Sequence, residues 1–193
     1  MKLSGSTLHL SDKASVDALM PSEVTTPEEV REEVRALYLE HANALHSGLR
    51  RLTWAGCDVD DLLQEVFVVA IRRPGPLLLA ESPKAWLYGV AVKIAAAARR
   101  KHRFRELLHL RAAEKISGDP TGQLESDAKD RAASVHRALA KLSSKKREVL
   151  VLYELQGLTG PEISRALGCP LKTVWTRLHY ARQDFERQLV RHG

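Results

Sequence analysis

Residues 159–182 read TGPEISRALGCPLKTVWTRLHYAR, and their pattern indicates how the second half of the chain folds. Thr159 and Glu162 form a capping-box pattern that starts a short helix. Gly168 ends that helix, and Pro170 opens another. A plain helical hairpin is one interpretation of such a pattern. The short first helix, the glycine turn and the basic second helix together favour a helix-turn-helix.

The helix after Pro170 combines a buried stripe with a polar, basic face. On a wheel of about 100° per residue, Val174, Leu178 and Ala181 fall on one side, and the opposite side has no acid before Asp184. Such a helix fits the major groove of DNA, which is about 12 Å wide. The candidates are Lys172, Thr173 and Thr176 for base edges, Arg177 and Arg182 for phosphates, and Trp175, His179 and Tyr180 on or beside the same face.

Composition excludes several classes of protein. The chain has 193 residues, is 44% hydrophobic and 5% aromatic, and carries a net charge of +6. These values fit one or two small helical domains and favour a polyanionic partner. Two cysteines, Cys57 and Cys169, are too few for a disulfide framework or a four-ligand zinc site. No glycine-rich phosphate loop, metal-ligand spacing or nucleophile motif indicates an enzyme, a metal or a cofactor.

The sequence also shows no segment typical of a signal peptide or a membrane span. The N-terminal residues lack the long apolar core of a signal peptide. No apolar run approaches the roughly 18 residues that a membrane span needs. The sequence therefore predicts a cytoplasmic protein without membrane insertion.

Apolar residues at helical spacing predict helices in the first half of the chain as well. A capping box at Thr26 starts a long helix with an apolar stripe, and Asp58 caps a second helix. Ser82 precedes a third helix, which runs into the basic cluster 99–105. A weaker helix is predicted over 106–116.

These elements divide an all-α chain into four parts. We expect a mobile tail over 1–26, a helical domain over 27–112, a flexible linker over 113–131 that is rich in glycine and proline, and a second helical domain over 132–193. Within the first domain, 74–82 is predicted to be a loop that contains an apolar Leu-Leu-Leu run.

Charge is segregated along the chain. Residues 28–65 hold nine acids and four bases, residues 72–105 hold nine bases and one acid, and residues 134–193 hold eleven bases and five acids. An acidic block followed by two basic blocks predicts two kinds of partner. The basic cluster 99–105 is a candidate for phosphate contacts.

Four motifs follow one another along most of the chain, at residues 58–67 (DVDDLLQEVF), 86–91 (WLYGVA, running into Arg99-Arg100), 142–168 (with Arg147-Glu148 and EISRALG) and 173–182 (TVWTRLHYAR). In their order and spacing they resemble bacterial RNA polymerase sigma factors of the sigma-70 family, in its small extracytoplasmic-function (ECF) group. The resemblance covers about residues 28–189.

The resemblance implies a fold and a set of partners. The two helical domains would be sigma region 2 and sigma region 4, and the chain would have no catalytic site because RNA synthesis belongs to the polymerase. Region 2 would dock on core polymerase, with candidate residues Asp58, Asp61, Leu62, Gln64 and Glu65. It would also hold the promoter −10 element, with candidate residues Lys84, Trp86, Tyr88, Lys93, Arg99, Arg100, Lys101 and Arg103.

Further partners follow from the same resemblance. The helix-turn-helix of region 4 would read the promoter −35 element. The linker would run near the active site and the RNA exit path of the polymerase. An anti-sigma factor is the expected inhibitor.

Some positions depart from the family pattern. Lys93 and Ala97 stand where members usually carry Asn and Asp, and the loop 74–82 is apolar rather than polar. Lys172 and Tyr180 stand where the last helix usually has Gly and Arg. These departures predict unusual promoter preferences. A sigma-like protein that docks but does not melt DNA, and a stand-alone helix-turn-helix regulator, are the alternatives.

Overall fold

The computed structural model describes residues 26–54, 56–112 and 127–190, and these residues form helices without any strand. The all-α class predicted from the sequence is therefore confirmed. The helices are α1 Pro27–Leu52, α2 Val59–Arg72, α3 Pro74–Leu78, α4 Pro83–Ala112, α5 Asp127–Lys141, α6 Ser144–Leu150, α7 Gly160–Leu167 and α8 Leu171–Val190, and a π-helical turn, Val151–Leu155, continues α6.

Two segments predicted from the sequence fall largely outside these residues. The predicted tail lies outside the described residues except for Thr26. Of the predicted linker, 113–126 lies outside them as well, and 127–131 opens α5.

The first unit, α1 to α4, begins its helices where the sequence predicts. The Thr26 side chain accepts a hydrogen bond from the Glu29 backbone N–H at 3.3 Å, and the Glu29 carboxylate accepts one from the Thr26 N–H at 2.6 Å. Asp58 caps α2 by accepting from the Asp61 N–H at 3.1 Å. The apolar stripes of α1, α2 and α4 meet in a shared core in which Leu45 is fully buried.

The predicted loop 74–82 is wrong in its first half, because α3 forms there. Pro74 takes the first helical position, where its fixed φ suits a helix and its missing N–H is not needed. The turn directs Leu77 into the core with no exposed surface, while Leu79 is 62% exposed. The apolar run therefore splits between the core and the surface.

The predicted break between the third helix and a weaker helix over 106–116 is also wrong for the described residues. α4 continues without interruption to Ala112. Neither glycine nor proline occurs between the basic cluster and Ala112, so nothing in the sequence interrupts the backbone hydrogen bonds there.

In the second unit, α5 to α8, Arg147 of α6 stabilises the end of α5 through hydrogen bonds. Its buried guanidinium donates to the backbone carbonyls of Leu139 at 2.8 Å, Ala140 at 2.8 Å and Leu142 at 3.3 Å, at the C-terminal end of α5. The last carbonyls of a helix lack donors from a following turn, and the guanidinium supplies donors here in addition to the Leu142 N–H, which donates to the Leu139 carbonyl at 3.1 Å. Burial, helped by the charge of Arg99, lowers the pKa of the Arg147 guanidinium to about 10.

The two units pack directly against each other. α4 lies against α7, α1 lies against the π-helical turn, and the buried apolar side chains of both units form one continuous cluster. The backbones approach closely at Gly89 of α4, where an added Cβ would lie 2.8 Å from the carbonyl oxygen of Ala166 in α7. A glycine is therefore required at this point of the interface.

Candidate polymerase and DNA interfaces

The acidic residues of α2 line an open face. Asp58, Asp61 and Glu65 recur at helical spacing and are exposed, as is Gln64, while Leu62 is half-buried among them. The cap formed by Asp58 stabilises the first turn of α2, the helix that carries the other carboxylates. Four of the predicted docking residues, Asp58, Asp61, Leu62 and Glu65, line one groove, and Gln64 is exposed next to Glu65 in the sequence.

A groove of about 390 Å³ separates this face from the basic end of α4. Asp61 and Glu65 line it on the α2 side, and Lys101 and Arg105 line it on the α4 side. Opposite charges therefore line the two walls of a groove that is open to a partner.

The predicted −10 residues divide into an exposed group and a buried pair. Lys93, Arg100, Lys101 and Arg103 are exposed along α4, and Lys84 and Trp86 are half-buried. Trp86 and Lys93 line a cleft of about 240 Å³ beside the end of α3. The cleft is lined on its other side by Arg165 and Ala166 of α7, so the second unit closes it.

Tyr88 and Arg99 are both buried, although the sequence predicted that they contact DNA. The Tyr88 hydroxyl donates to Gln156 Oε1 at 2.5 Å, and burial raises its pKa to about 12. The Arg99 guanidinium donates to Glu148 at 3.1 Å and to the Leu52 carbonyl. Burial lowers the pKa of Arg99, and the carboxylate of Glu148 opposes that shift. In this arrangement neither side chain can reach DNA.

The helix-turn-helix has the caps that the sequence predicts. The Thr159 side chain accepts from the Glu162 N–H at 3.4 Å, and Glu162 accepts from the Thr159 N–H at 2.8 Å. Gly168 adopts the left-handed conformation, with φ of 59°, at the end of α7. The Ser164 hydroxyl donates to the Cys169 carbonyl at 2.6 Å and ties the turn to α7. These contacts cap both ends of α7 and bond the turn before α8 to it.

The predicted −35 residues lie along α8, most of them on its outer face. Thr176 donates its hydroxyl to the Lys172 carbonyl at 2.9 Å. Trp175 packs edge-on against Tyr153 with ring centroids 5.7 Å apart, and Arg182 pairs with Glu154 at 2.6 Å. The exposed residues are Lys172, Trp175, Thr176, His179, Tyr180 and Arg182, and the half-buried ones are Thr173 and Arg177.

Several residues at the contact between the units were not identified from the sequence as functional. They are Glu148 and Gln156, together with Glu162, which accepts from the Ser82 hydroxyl at 2.7 Å in addition to its capping role. Their partners are 49, 68 and 80 residues away along the chain. Local patterns carry no signal over such separations.

Within 26–54, 56–112 and 127–190, no group of three His, Cys, Asp or Glu side chains is placed to hold a metal ion. The helices in these ranges include none that is both long enough and apolar enough to cross a membrane.

Comparison with known proteins identifies both units. Residues 37–105 match the family Sigma-70 region 2, and residues 132–185 match Sigma-70, region 4. The ECF RNA polymerase sigma factor SigL of Mycobacterium tuberculosis is 34% identical over 155 residues, which cover 77% of this chain and 84% of SigL. The chain belongs to the ECF RNA polymerase sigma factors. We call its two units region 2 and region 4 from here on.

Other relatives extend the similarity. The RNA polymerase sigma factor CnrH of Cupriavidus metallidurans is 29% identical over 154 residues, which cover 76% of this chain and 81% of CnrH. The solved structure of the sigma factor RpoE in complex with the anti-sigma factor NepR, from Bartonella quintana, has a TM-score of 0.66 at 22% identity and covers 84% of this chain and 99% of that one. The structure of CnrH in complex with the cytosolic domain of CnrY has a TM-score of 0.63 at 23% identity and covers 86% of this chain and 96% of that one. The fold is thus shared across both regions.

Proposed function

We propose that the chain binds core RNA polymerase and directs it to a set of promoters by recognising −10 and −35 elements. The observation that supports this most is the exposed acidic face of α2, in a chain whose other unit carries a helix-turn-helix. A stand-alone DNA-binding regulator would use region 4 and leave that face without a role.

Docking is assigned to the α2 face, through Asp58, Asp61, Leu62, Gln64 and Glu65. Exposed carboxylates steer a basic partner surface and fix its register, while Leu62 supplies an apolar contact at the centre of the face. Because such contacts are electrostatic, the affinity falls as salt is raised.

The −10 element is assigned to the outer face of α4. Lys93, Arg100, Lys101 and Arg103 supply exposed cations for the phosphate backbone. Trp86, in the cleft beside α3, offers a ring on which an unstacked base can stack. Tyr88 and Arg99 join this surface only after region 4 has moved away.

The −35 element is assigned to α8 in the major groove. Lys172, Thr173 and Thr176 lie in its first turns, where a recognition helix meets base edges. Arg177 and Arg182 flank them and contact phosphates, which positions the helix without specifying sequence. His179, Tyr180 and Trp175 extend the same surface.

Further features of the proposal rest on the family. Two sigma factors of the same fold were solved with anti-sigma partners, and we propose such an inhibitor here. The chain would catalyse no reaction and hold no cofactor, since the polymerase carries the chemistry. The proposed function requires the bacterial cytoplasm, where core polymerase and the chromosome are.

Transcription with purified components tests the proposal. The chain and bacterial core polymerase are incubated with promoters selected by sequencing the DNA that the mixture binds, once as duplex and once with the −10 segment already unpaired. We expect transcripts from both templates that require the chain. Transcripts from the unpaired template alone would indicate a protein that docks without melting DNA. Tight duplex binding by the free chain, with no chain-dependent transcript, would instead indicate a stand-alone regulator.

A further inference from the structure

The cleft beside α3 brings together three side chains of different chemistry. Its lining includes Glu81, shortly before α4, and Trp86 and Lys93 on α4. At about 240 Å³ the cleft is smaller than the roughly 300–1,000 Å³ pockets that take drug-sized ligands, so its size suits a single base. A carboxylate, an aromatic ring and an ammonium group therefore line one small space.

The first turns of α4 determine where these groups lie. The Ser82 hydroxyl caps the helix by accepting from the Ala85 N–H at 3.2 Å, and Glu81 directly precedes this cap. Trp86 and Lys93 are seven residues apart, which is about two helical turns, so they share one face of α4. Gly89 also lines the cleft and has no side chain to fill it.

The structure shows a donor that Glu81 accepts. A guanidinium N–H of Arg165 donates to its carboxylate at 3.0 Å, and the Glu81 side chain is 75% exposed. An exposed ion pair of this kind contributes little to stability. The carboxylate can therefore exchange Arg165 for another donor of similar shape at low cost.

Among the four bases, guanine presents the donors that most resemble a guanidinium. Its N1–H and N2–H₂ lie side by side on the Watson–Crick edge, and the two oxygens of a carboxylate can accept both. Its O6 and N7 are acceptors, which a lysine ammonium can bind. Adenine has an acceptor at N1, where the carboxylate needs a donor, and cytosine and thymine each offer the carboxylate a single donor group.

We propose that this cleft selects a guanine in the unpaired −10 strand. Glu81 accepts from N1–H and N2–H₂, Lys93 donates to O6 and N7, and the Trp86 ring stacks on the base. The proposal rests on the function proposed above and names the base that the −10 surface reads. It also makes Glu81 a specificity-determining residue, which the sequence did not identify.

Binding of the holoenzyme to a promoter that is already open measures this preference. The chain and bacterial core polymerase are mixed with promoters selected by sequencing bound DNA, in which a noncomplementary template strand keeps the −10 segment unpaired. Each −10 position of the other strand carries guanine, adenine, cytosine or thymine in turn, and competition against a fluorescent reference duplex gives relative affinities. We expect one position at which guanine binds about tenfold more tightly than any other base.

Glu81→Gln and Lys93→Met test the two polar contacts. Each substitution keeps the length of the side chain and removes its charge. In either variant the preference for guanine at that position should fall from about tenfold to about threefold or less, while the other −10 positions keep their preferences. Glu33→Gln in α1 and Lys141→Met in α5 are the matched controls, because both residues are exposed and neither lines the cleft. Both controls should bind as the wild type does.

Base analogues test the same contacts atom by atom. Hypoxanthine lacks the N2 amino group of guanine, and 7-deazaguanine lacks its N7 acceptor. Hypoxanthine should weaken binding by the wild type about threefold or more and bring no further loss in Glu81→Gln. 7-Deazaguanine should likewise weaken binding by the wild type and bring no further loss in Lys93→Met.

The outcomes separate this proposal from the proposed function. Chain-dependent binding without a guanine preference at any −10 position overturns the guanine site and leaves the proposed function standing. A guanine preference that Glu81→Gln and Lys93→Met both leave unchanged does the same, and so does an equal loss with hypoxanthine in the wild type and in Glu81→Gln. Binding of every template that is no tighter than by core polymerase alone overturns the proposed function, and the guanine site with it.

Discussion

At the scale of single residues, the buried cation of Arg147 stabilises the C-terminal end of α5, the first helix of region 4. It satisfies three carbonyls at the end of α5. Replacing it by methionine keeps the apolar stem and removes the three hydrogen bonds that the guanidinium donates to these carbonyls. We expect Arg147→Met to lower the free energy of unfolding by about 3 kcal/mol, measured by urea denaturation. Arg137→Met removes an exposed guanidinium from the same unit and should cost less than about 1 kcal/mol.

His136 makes the stability depend on pH. Burial and the nearby charges of Arg147, Arg50 and Arg51 lower the pKa of its imidazole below the ordinary value of 6.5. Between these two pKa values the unfolded chain binds the proton and the folded chain does not. The contribution of His136 to the free energy of unfolding therefore falls as the pH is lowered through 6.5 toward the folded-state pKa.

Replacing the imidazole tests that assignment. In His136→Gln, the loss of stability between pH 7.5 and pH 5.5 should be smaller than in the wild type, measured by urea denaturation at each pH. Equal losses in the two proteins would show that His136 does not titrate as described.

Residue patterns predicted the local contacts well and the distant ones poorly. Thr26, Asp58 and Thr159 cap helices as expected, because a cap depends on residues within one turn. Tyr88 and Arg99 were expected on the DNA surface and are buried instead. Their partners come from region 4 and have no local sequence signal.

At the scale of helices, the turn between α7 and α8 controls how the recognition helix is presented. Gly168 has a φ of 59°, which other residues adopt at a cost. Gly168→Ala should lower the free energy of unfolding by about 1 kcal/mol. Thermal unfolding measures the effect, and an unchanged melting temperature would contradict it.

The polar face of α8 predicts how DNA affinity responds to mutation. Lys172 is exposed in the first turn of α8, and we propose that it donates to a base edge. Lys172→Ala should weaken holoenzyme binding to a selected −35 duplex by about tenfold, because one good base contact is worth about 1–3 kcal/mol. Fluorescence anisotropy measures the affinity. Lys141→Ala, an exposed lysine on α5, is the control and should bind unchanged.

Helix boundaries followed the sequence wherever apolar spacing and caps agreed. The exceptions were α3, which replaces the first half of a predicted loop, and α4, which is longer than predicted. α3 forms because burying Leu77 orders the segment around it. A short run of consecutive apolar residues has no periodicity, so the sequence did not show which of the three leucines is buried.

At the scale of the whole molecule, the charge blocks predicted the surfaces but not their arrangement. The acidic block gives the open face of α2, and the basic blocks give the outer faces of α4 and α8. The charge pattern does not show which faces meet: α7 lies against α4 at a point where Gly89 leaves room for the Ala166 backbone.

The α2 face is the proposed docking surface for core polymerase. Size-exclusion chromatography of the chain with bacterial core RNA polymerase, at low and moderate salt, tests it most directly. The double reversal Asp61→Lys and Glu65→Lys changes the face, and Glu28→Lys with Glu32→Lys changes two exposed carboxylates of α1 as a control. We predict stable co-elution of the wild type and the control, and at least about tenfold weaker association of the α2 reversal at moderate salt. A wild-type chain that elutes apart from core polymerase at both salt concentrations would contradict the account.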